Sequence, residues 1–230
     1  MYNDGRIIDN IYDIQLIDVS FSYNSWSKII DKLSLTINNG EKIVIEGING
    51  SGKSTLANLL AANYSPKEGK IVFNGIENVS RESIKKNLTY VNQEVYLFHD
   101  TLYNNLILGC ENIDKKRFID VCEITGMNEM ICSYTEGLGH IINAGGTDLS
   151  GGQRQKIALA RALLRDSSVY IFDESTSAMD DEGEKRFVHI IKEYLKDKIV
   201  VVITHNKKIT ECFDKCYVLA EGRLSYVESK

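Results

Sequence analysis

The sequence contains a single proline, Pro66, and no long apolar run. Its longest uninterrupted apolar stretches, such as Ile199 to Ile203, span five residues, far short of the ~20 that a membrane-crossing helix needs. The first residues, Met1-Tyr2-Asn3-Asp4-Gly5, have neither the basic end nor the apolar stretch of a signal peptide. A membrane role is therefore expected to come through a partner or through a segment outside this sequence. Cysteine is sparse: Cys110, Cys122, Cys132, Cys212 and Cys216 are odd in number, scattered and without Cys-x2-Cys spacing. That argues against a disulfide framework and fits reduced thiols in a cytosolic protein. Cys212 and Cys216 are spaced to sit one helical turn apart, but no cluster completes a metal site. Positive charge is in deficit, with 27 Lys and Arg against 32 Asp and Glu for a net charge of −5. Nothing here supports nucleic acid or an anionic membrane as the main partner.

Against these absences stands a glycine-rich string, Gly47-Ile48-Asn49-Gly50-Ser51-Gly52-Lys53-Ser54, the Gly-x4-Gly-Lys-Ser/Thr pattern. The β-branched run Ile43-Val44-Ile45 before it reads as a buried strand. Ser54-Thr55-Leu56-Ala57-Asn58-Leu59-Leu60 after it has apolar residues at helical spacing. Strand, tight turn and helix together are the context that confirms a phosphate-binding loop. Glycines let successive N–H groups face one point at the positive end of a helix. Lys53 would reach the β- and γ-phosphates of a nucleotide, and Ser54 would place its hydroxyl on Mg²⁺. The remaining loop residues and Thr55 complete the cradle.

The organisation around this loop is α/β. Residues 13–22, 33–37 and Lys70 to Asn74 read as a small antiparallel sheet near the N-terminus. Leu88 to Val91, Ser168 to Phe172 and Ile199 to Ile203 are short apolar strands separated by helical stretches, the pattern of a parallel sheet. Pro66 lies in Tyr64–Gly69, read as the turn closing the first helix. Between Glu94 and about Arg165 the chain turns mostly helical, with caps at Asp100-Thr101, Asp114 and Ser150. Cys216 to Ala220 and Arg223 to Val227 read as a hairpin. The expected architecture is a P-loop core with a parallel sheet, an N-terminal antiparallel β-subdomain and an inserted α-helical subdomain. Residues 1–93 and 166–230 form the nucleotide-binding part, and 94–165 the helical part.

Chemistry-bearing residues sit at strand ends. Val169-Tyr170-Ile171-Phe172-Asp173-Glu174 is an apolar strand ending in two acids, which would face the ligand crevice of an open parallel sheet. Asp173 can hold Mg²⁺, directly or through water, while Glu174 can polarise an attacking water. His205 ends a neighbouring strand, where a γ-phosphate contact is the better reading. Gln93 follows Tyr90-Val91-Asn92 in the same way, and its amide can contact Mg²⁺ or the attacking water. Tyr23 either belongs to the core or stacks on adenine, where an aromatic face is worth roughly 1 kcal/mol.

A second anion-binding element follows 97 residues after Lys53, in Leu149-Ser150-Gly151-Gly152-Gln153. Ser150 is a plausible N-cap for the helical run Gly152 to Leu164, with two glycines that let an anion approach. One chain hydrolysing one ATP needs only one cradle. A head-to-tail dimer, in which Ser150-Gly151-Gly152 of each copy completes the other's site, accounts for both.

With these residues in view, the sequence resembles an ABC-transporter nucleotide-binding domain over nearly its whole length. The resemblance implies that Tyr23 is the adenine-stacking aromatic, Gly47 to Ser54 Walker A, Gln93 the Q-loop glutamine and Leu149 to Gln153 the signature. It further implies that Asp173 is the Walker B acid, Glu174 the catalytic base, Ser177-Ala178-Met179-Asp180 the D-loop and His205 the switch histidine. Leu97 to Asn105 is similar to the exporter stretch that faces the transmembrane helices. Asn143 to Asp148 occupies the place of the exporter segment before the signature, but has Asn143 and Ala144 where the family usually has Gly-Glu. Ser175 replaces a common alanine. The resemblance thus implies an ATP- and Mg²⁺-dependent exporter motor, active as a dimer at the cytoplasmic side of a membrane through a transmembrane partner. A stand-alone ABC ATPase of an assembly or repair complex is the alternative.

Overall fold

The computed structural model describes residues 5–24, 27–110, 112–213 and 215–228; Met1 to Asp4, read above for a leader pattern, lie outside them. In chain order the elements begin with β1 (Asp13–Phe21), β2 (Ile30–Asn38), β3 (Lys42–Glu46), α1 (Lys53–Leu60), β4 (Glu68–Phe73), α2 (Arg81–Asn87) and β5 (Leu88–Val91). There follow β6 (Asp100–Thr101), α3 (Leu102–Ile107), α4 (Lys115–Ile124), α5 (Met127–Ser133), β7 (Ile141–Ile142) and α6 (Gly151–Leu164). The chain closes with β8 (Val169–Asp173), α7 (Asp181–His189), β9 (Ile199–Ile203), α8 (Lys207–Thr210), β10 (Lys215–Ala220) and β11 (Arg223–Glu228).

Two compact units result. The first takes the chain up to Tyr90, Ser167–Glu174 and the chain from Leu195 onward; the second takes Val91–Asp166 and Ser175–Tyr194. The sequence boundaries above put Ser175–Tyr194 with the core. The second unit holds this segment because Gln155 of α6 bonds to Ser177 and Ala178, and Arg186 of α7 pairs with Glu129 of α5.

In the first unit, β2, β1 and β4 form the antiparallel sheet. Along β2 the apolar Leu33, Leu35 and Ile37 are buried while Ser34, Thr36 and Asn38 are exposed, the period-two pattern of a sheet with one wet face. β1 carries a bulge between Leu16 and Val19, with Asp18 at φ 48°. The extra residue shifts the inward set from Ile14 and Leu16 to Val19 and Phe21; simple alternation along the chain carries no sign of it.

The larger sheet has the order β11-β10-β3-β9-β8-β5. β10, β3, β9 and β8 run parallel, and β11 closes antiparallel to β10. β8 and β9 are buried at every position. Continuous apolar runs without alternation are what a sheet covered on both faces requires. Helix α1 ends at Leu60 with Ala61 as its C-cap, before Pro66, which lies in the following connection rather than at the helix end. Cys212 lies in a turn and Cys216 in β10, so they are not one helical turn apart. Burial pushes the Cys122 thiol up to about 11, leaving it protonated at neutral pH.

The second unit is mainly helical, and the short pair β6–β7 is the strand element that the helical reading did not anticipate. Thr101, Asp114 and Ser150 each accept a hydrogen bond from a first-turn N–H of α3, α4 and α6, as capping residues do. No helix among the described residues is long and apolar enough to cross a membrane.

The core of the first unit should respond to truncation by position. Ile45→Ala, at a fully buried site, should cost about 2–5 kcal/mol in chemical denaturation. Ile7→Ala, at a site that is 82% exposed, should stay within about 0.5 kcal/mol.

Candidate active site

The parallel register sets the site. Asp173 is paired with Ile203, and Ile203 with Ile45, so one row of residues crosses three strands near their carboxyl ends. Past that row, β3 enters the 47–52 loop, β8 runs into Glu174, and β9 runs into Thr204 and His205. Carboxyl ends of adjacent strands are where an open α/β sheet binds its ligand.

The loop is shaped for close approach of an anion. Gly52 caps α1 at φ 102°, in the left-handed region, and no side chain among the described residues caps the first-turn N–H groups. Those donors face outward with the positive helix end. A Cβ at Gly47 would lie 2.5 Å from Leu219 O and 2.6 Å from Ser51 Oγ, so only glycine fits. Ser51 Oγ is buried without a hydrogen-bond partner among the described residues. Lys53 Nζ donates to Gly47 O at 2.8 Å and Ile48 O at 3.2 Å. Asn49, Gly50 and Ser54 are exposed. An uncapped helix start, an orphaned hydroxyl and a lysine parked on loop carbonyls form a donor-rich cradle that fits phosphate oxygens.

Beside it, Tyr23 lies beyond the end of β1 and is 60% exposed, which rules out the core reading. Its hydroxyl is 3.0 Å from Thr55 Oγ1, and its ring meets Phe21 and Tyr64 edge-on at centroid distances of 5.2 and 5.8 Å. The ring is thereby braced by two perpendicular aromatic neighbours.

The acids differ in setting. Asp173 is buried, and Tyr90 Oη donates to its Oδ2 at 2.9 Å. Burial, then the charge of Asp173, holds the Tyr90 phenol far above its ordinary value. Glu174 has φ 50°, a strained conformation for this residue type that costs on the order of 1–3 kcal/mol and clusters at functional sites. Its N–H still donates to Ile203 O at 2.9 Å. Its Oε2 lies 2.8 Å from His205 Nδ1; the Glu174 side chain is 11% exposed and that of His205 70%. A carboxylate and an imidazole thus meet at the ends of neighbouring strands, one sheltered and one open to a ligand. Ser54 and Asp173 supply oxygen donors of the type Mg²⁺ selects.

The other residues singled out in the sequence lie in the second unit. Ser150 Oγ accepts from Gln153 N at 3.2 Å, and Gln153 Oε1 accepts from Ser150 N at 2.8 Å, a reciprocal capping box. The box leaves the serine hydroxyl its proton to donate. A Cβ at Gly151 would come within 2.8 Å of Ala178 Cβ, and one at Gly152 within 3.2 Å of Ala178 O. These glycines therefore admit the 177–180 segment. Gln155, which the sequence reading missed, is buried and holds that segment through Ser177 Oγ and Ala178 N. Asp180 Oδ1 caps α7 by accepting from Gly183 N at 2.8 Å. Gln93 is exposed and lines a cavity of about 530 Å³ with Gly145, Arg154, Gln155 and Ser177. Tyr90 was also missed; a lone tyrosine in Leu88–Val91 carries the signal, since a buried phenol needs a partner.

Gly47→Ala tests the crowding at the loop. Overpacking of this kind should lower stability by about 1–3 kcal/mol, read as a reduced denaturation midpoint; an unchanged midpoint would show that the loop can yield.

The sequence model of the ABC transporter family matches residues 30–177. The lactococcin-G-processing and transport ATP-binding protein LagD of Lactococcus lactis is 37% identical over 95% of this chain and 32% of that protein. The ATP-dependent lipid A-core flippase of Francisella tularensis is 34% identical over 92% of this chain and 35% of that protein. The chain spans about a third of the length of these relatives. Among solved structures, a bacterial Atm1-family ABC exporter with ATP bound superposes with a TM-score of 0.91 at 28% identity, over 96% of this chain and 40% of that one.

Proposed function

Because this chain belongs to the ABC transporter family, we propose that it is the ATP-hydrolysing motor of an exporter. Two copies act head to tail at the cytoplasmic side of a membrane. They drive a peptide, lipid or drug cargo through partner transmembrane helices. Two similar proteins are named for lactococcin-G transport and for a lipid A-core flippase, which favours transport over a stand-alone assembly role. The observation that carries the reading is the Glu174–His205 contact of 2.8 Å at the strand ends that adjoin the phosphate loop.

The division of labour follows from charge. The N–H groups of the 47–52 loop and of the start of α1 bind phosphate oxygens, and Lys53 exchanges its loop carbonyls for the β- and γ-phosphates. Ser54 and Asp173 would hold Mg²⁺, which when bound would supply positive charge to offset that of the phosphates. Glu174 orients the attacking water and accepts its proton. His205 steadies that carboxylate and reaches the γ-phosphate. Tyr23 stacks on adenine. Ser150, Gly151, Gly152 and Gln153 of the second copy present a helix N-terminus to the same γ-phosphate, and Asp180 lies in the segment packed on it. Positioning and charge stabilisation of a loose transition state then supply most of the rate. In this reading residues 1–93 and 166–230 bind the nucleotide, and 94–165 carry the signature.

Glu174→Gln should bind ATP while turnover falls at least ~100-fold, the scale of a lost general base. ATP-bound dimer should then accumulate in size-exclusion chromatography. Turnover at the native rate in this variant would sink the assignment.

A further inference from the structure

Tyr90 stands on β5, the edge strand next to β8 in the larger sheet, and its hydroxyl reaches the carboxylate at the end of β8. We propose that Tyr90 is a positioning residue for the metal-binding acid: its phenol holds Asp173 Oδ2 and so sets the rotation at which the carboxylate meets the magnesium ion that accompanies ATP. The proposal rests on the ATP-hydrolysis reading above and adds a residue to its site.

Three observations support it. Asp173 is 4% exposed, so water contributes little to fixing its carboxylate, and a protein donor is needed. The bond is 2.9 Å long, within the range of a hydroxyl hydrogen bond to an oxygen. The Tyr90 ring is half-buried and packs against the core that contains Ile171 of β8 with Val201 and Ile203 of β9. The phenol is thus anchored by packing, and the oxygen it grips cannot turn about the Cβ–Cγ bond without breaking the contact. Partners that orient a metal ligand typically matter by about 10–100-fold in metal affinity or activity.

Tyr90→Phe removes one oxygen and keeps the ring. Mn²⁺ is titrated into the full chain with a non-hydrolysable ATP analogue, and bound metal is read by electron paramagnetic resonance. Fluorescent ATP binding in EDTA provides the metal-free arm, and the thermal midpoint is recorded alongside. The expected result is a roughly 10-fold weaker Mn²⁺ half-saturation with metal-free nucleotide affinity unchanged. In an Asp173→Asn background the Tyr90→Phe effect should largely vanish, because both changes act on one contact. Mn²⁺ binding within about twofold of the native chain, an equal loss of metal-free binding, or additive losses in the double variant would overturn the proposal. If the phenylalanine variant does not fold, Tyr90→Leu is measured against the same criteria. A native chain that takes up no Mn²⁺ with nucleotide would bring down the ATP-hydrolysis reading itself, a result distinct from a normal native chain with an indifferent Tyr90 variant.

Discussion

Hydrogen bonding between β3, β9 and β8 governs the chemistry of this protein. The ladder that pairs Ile45 with Ile203 and Ile203 with Asp173 aligns three strand ends. A slip of one residue would turn Asp173 to the opposite face of the sheet, since side chains alternate with a period of two. The register is protected because these strands are apolar and buried. Any slip would leave backbone polar groups unpaired in the interior, which costs far more than a surface mismatch. The contacts that hold the core therefore also fix where Asp173 stands.

Local strain is placed where that frame can hold it. Glu174 leaves β8 with a positive φ, yet its N–H is retained by the ladder through Ile203 O. Gly52 starts α1 without a side-chain cap. Ser150 shows the contrasting solution, a helix start closed by a capping box. One helix end keeps its donors open at the cost of local stability, and the other has its geometry locked while its serine proton stays available. Both arrangements suit anion binding, through different means.

Gly151 and Gly152 at the start of α6 have a packing reason. Their lack of Cβ lets Ala178 lie against the helix. Gln155 then ties that segment in place from one turn further along α6. A single glycine pair thus sets the packing of the neighbouring loop, so a side chain there would displace it.

Much of this molecule is legible without coordinates. The strands Leu88 to Val91 and Ile199 to Ile203 end where periodicity and composition place them, because short β-branched runs between polar residues have few alternatives. The caps at Asp114 and Ser150 are local chemistry and follow from residue type. The phosphate loop is equally local: its glycines and lysine act within a few residues of one another. What only the tertiary structure decided involves residues far apart in the chain. The bulge at Asp18, the grouping of Ser175–Tyr194 with the second unit, the bond from Tyr90 to Asp173 and that from Ala178 to Gln155 all depend on strand order and packing. Short-range propensity is written along the chain, whereas hydrogen bonds between distant side chains exist only once a sheet order has been chosen.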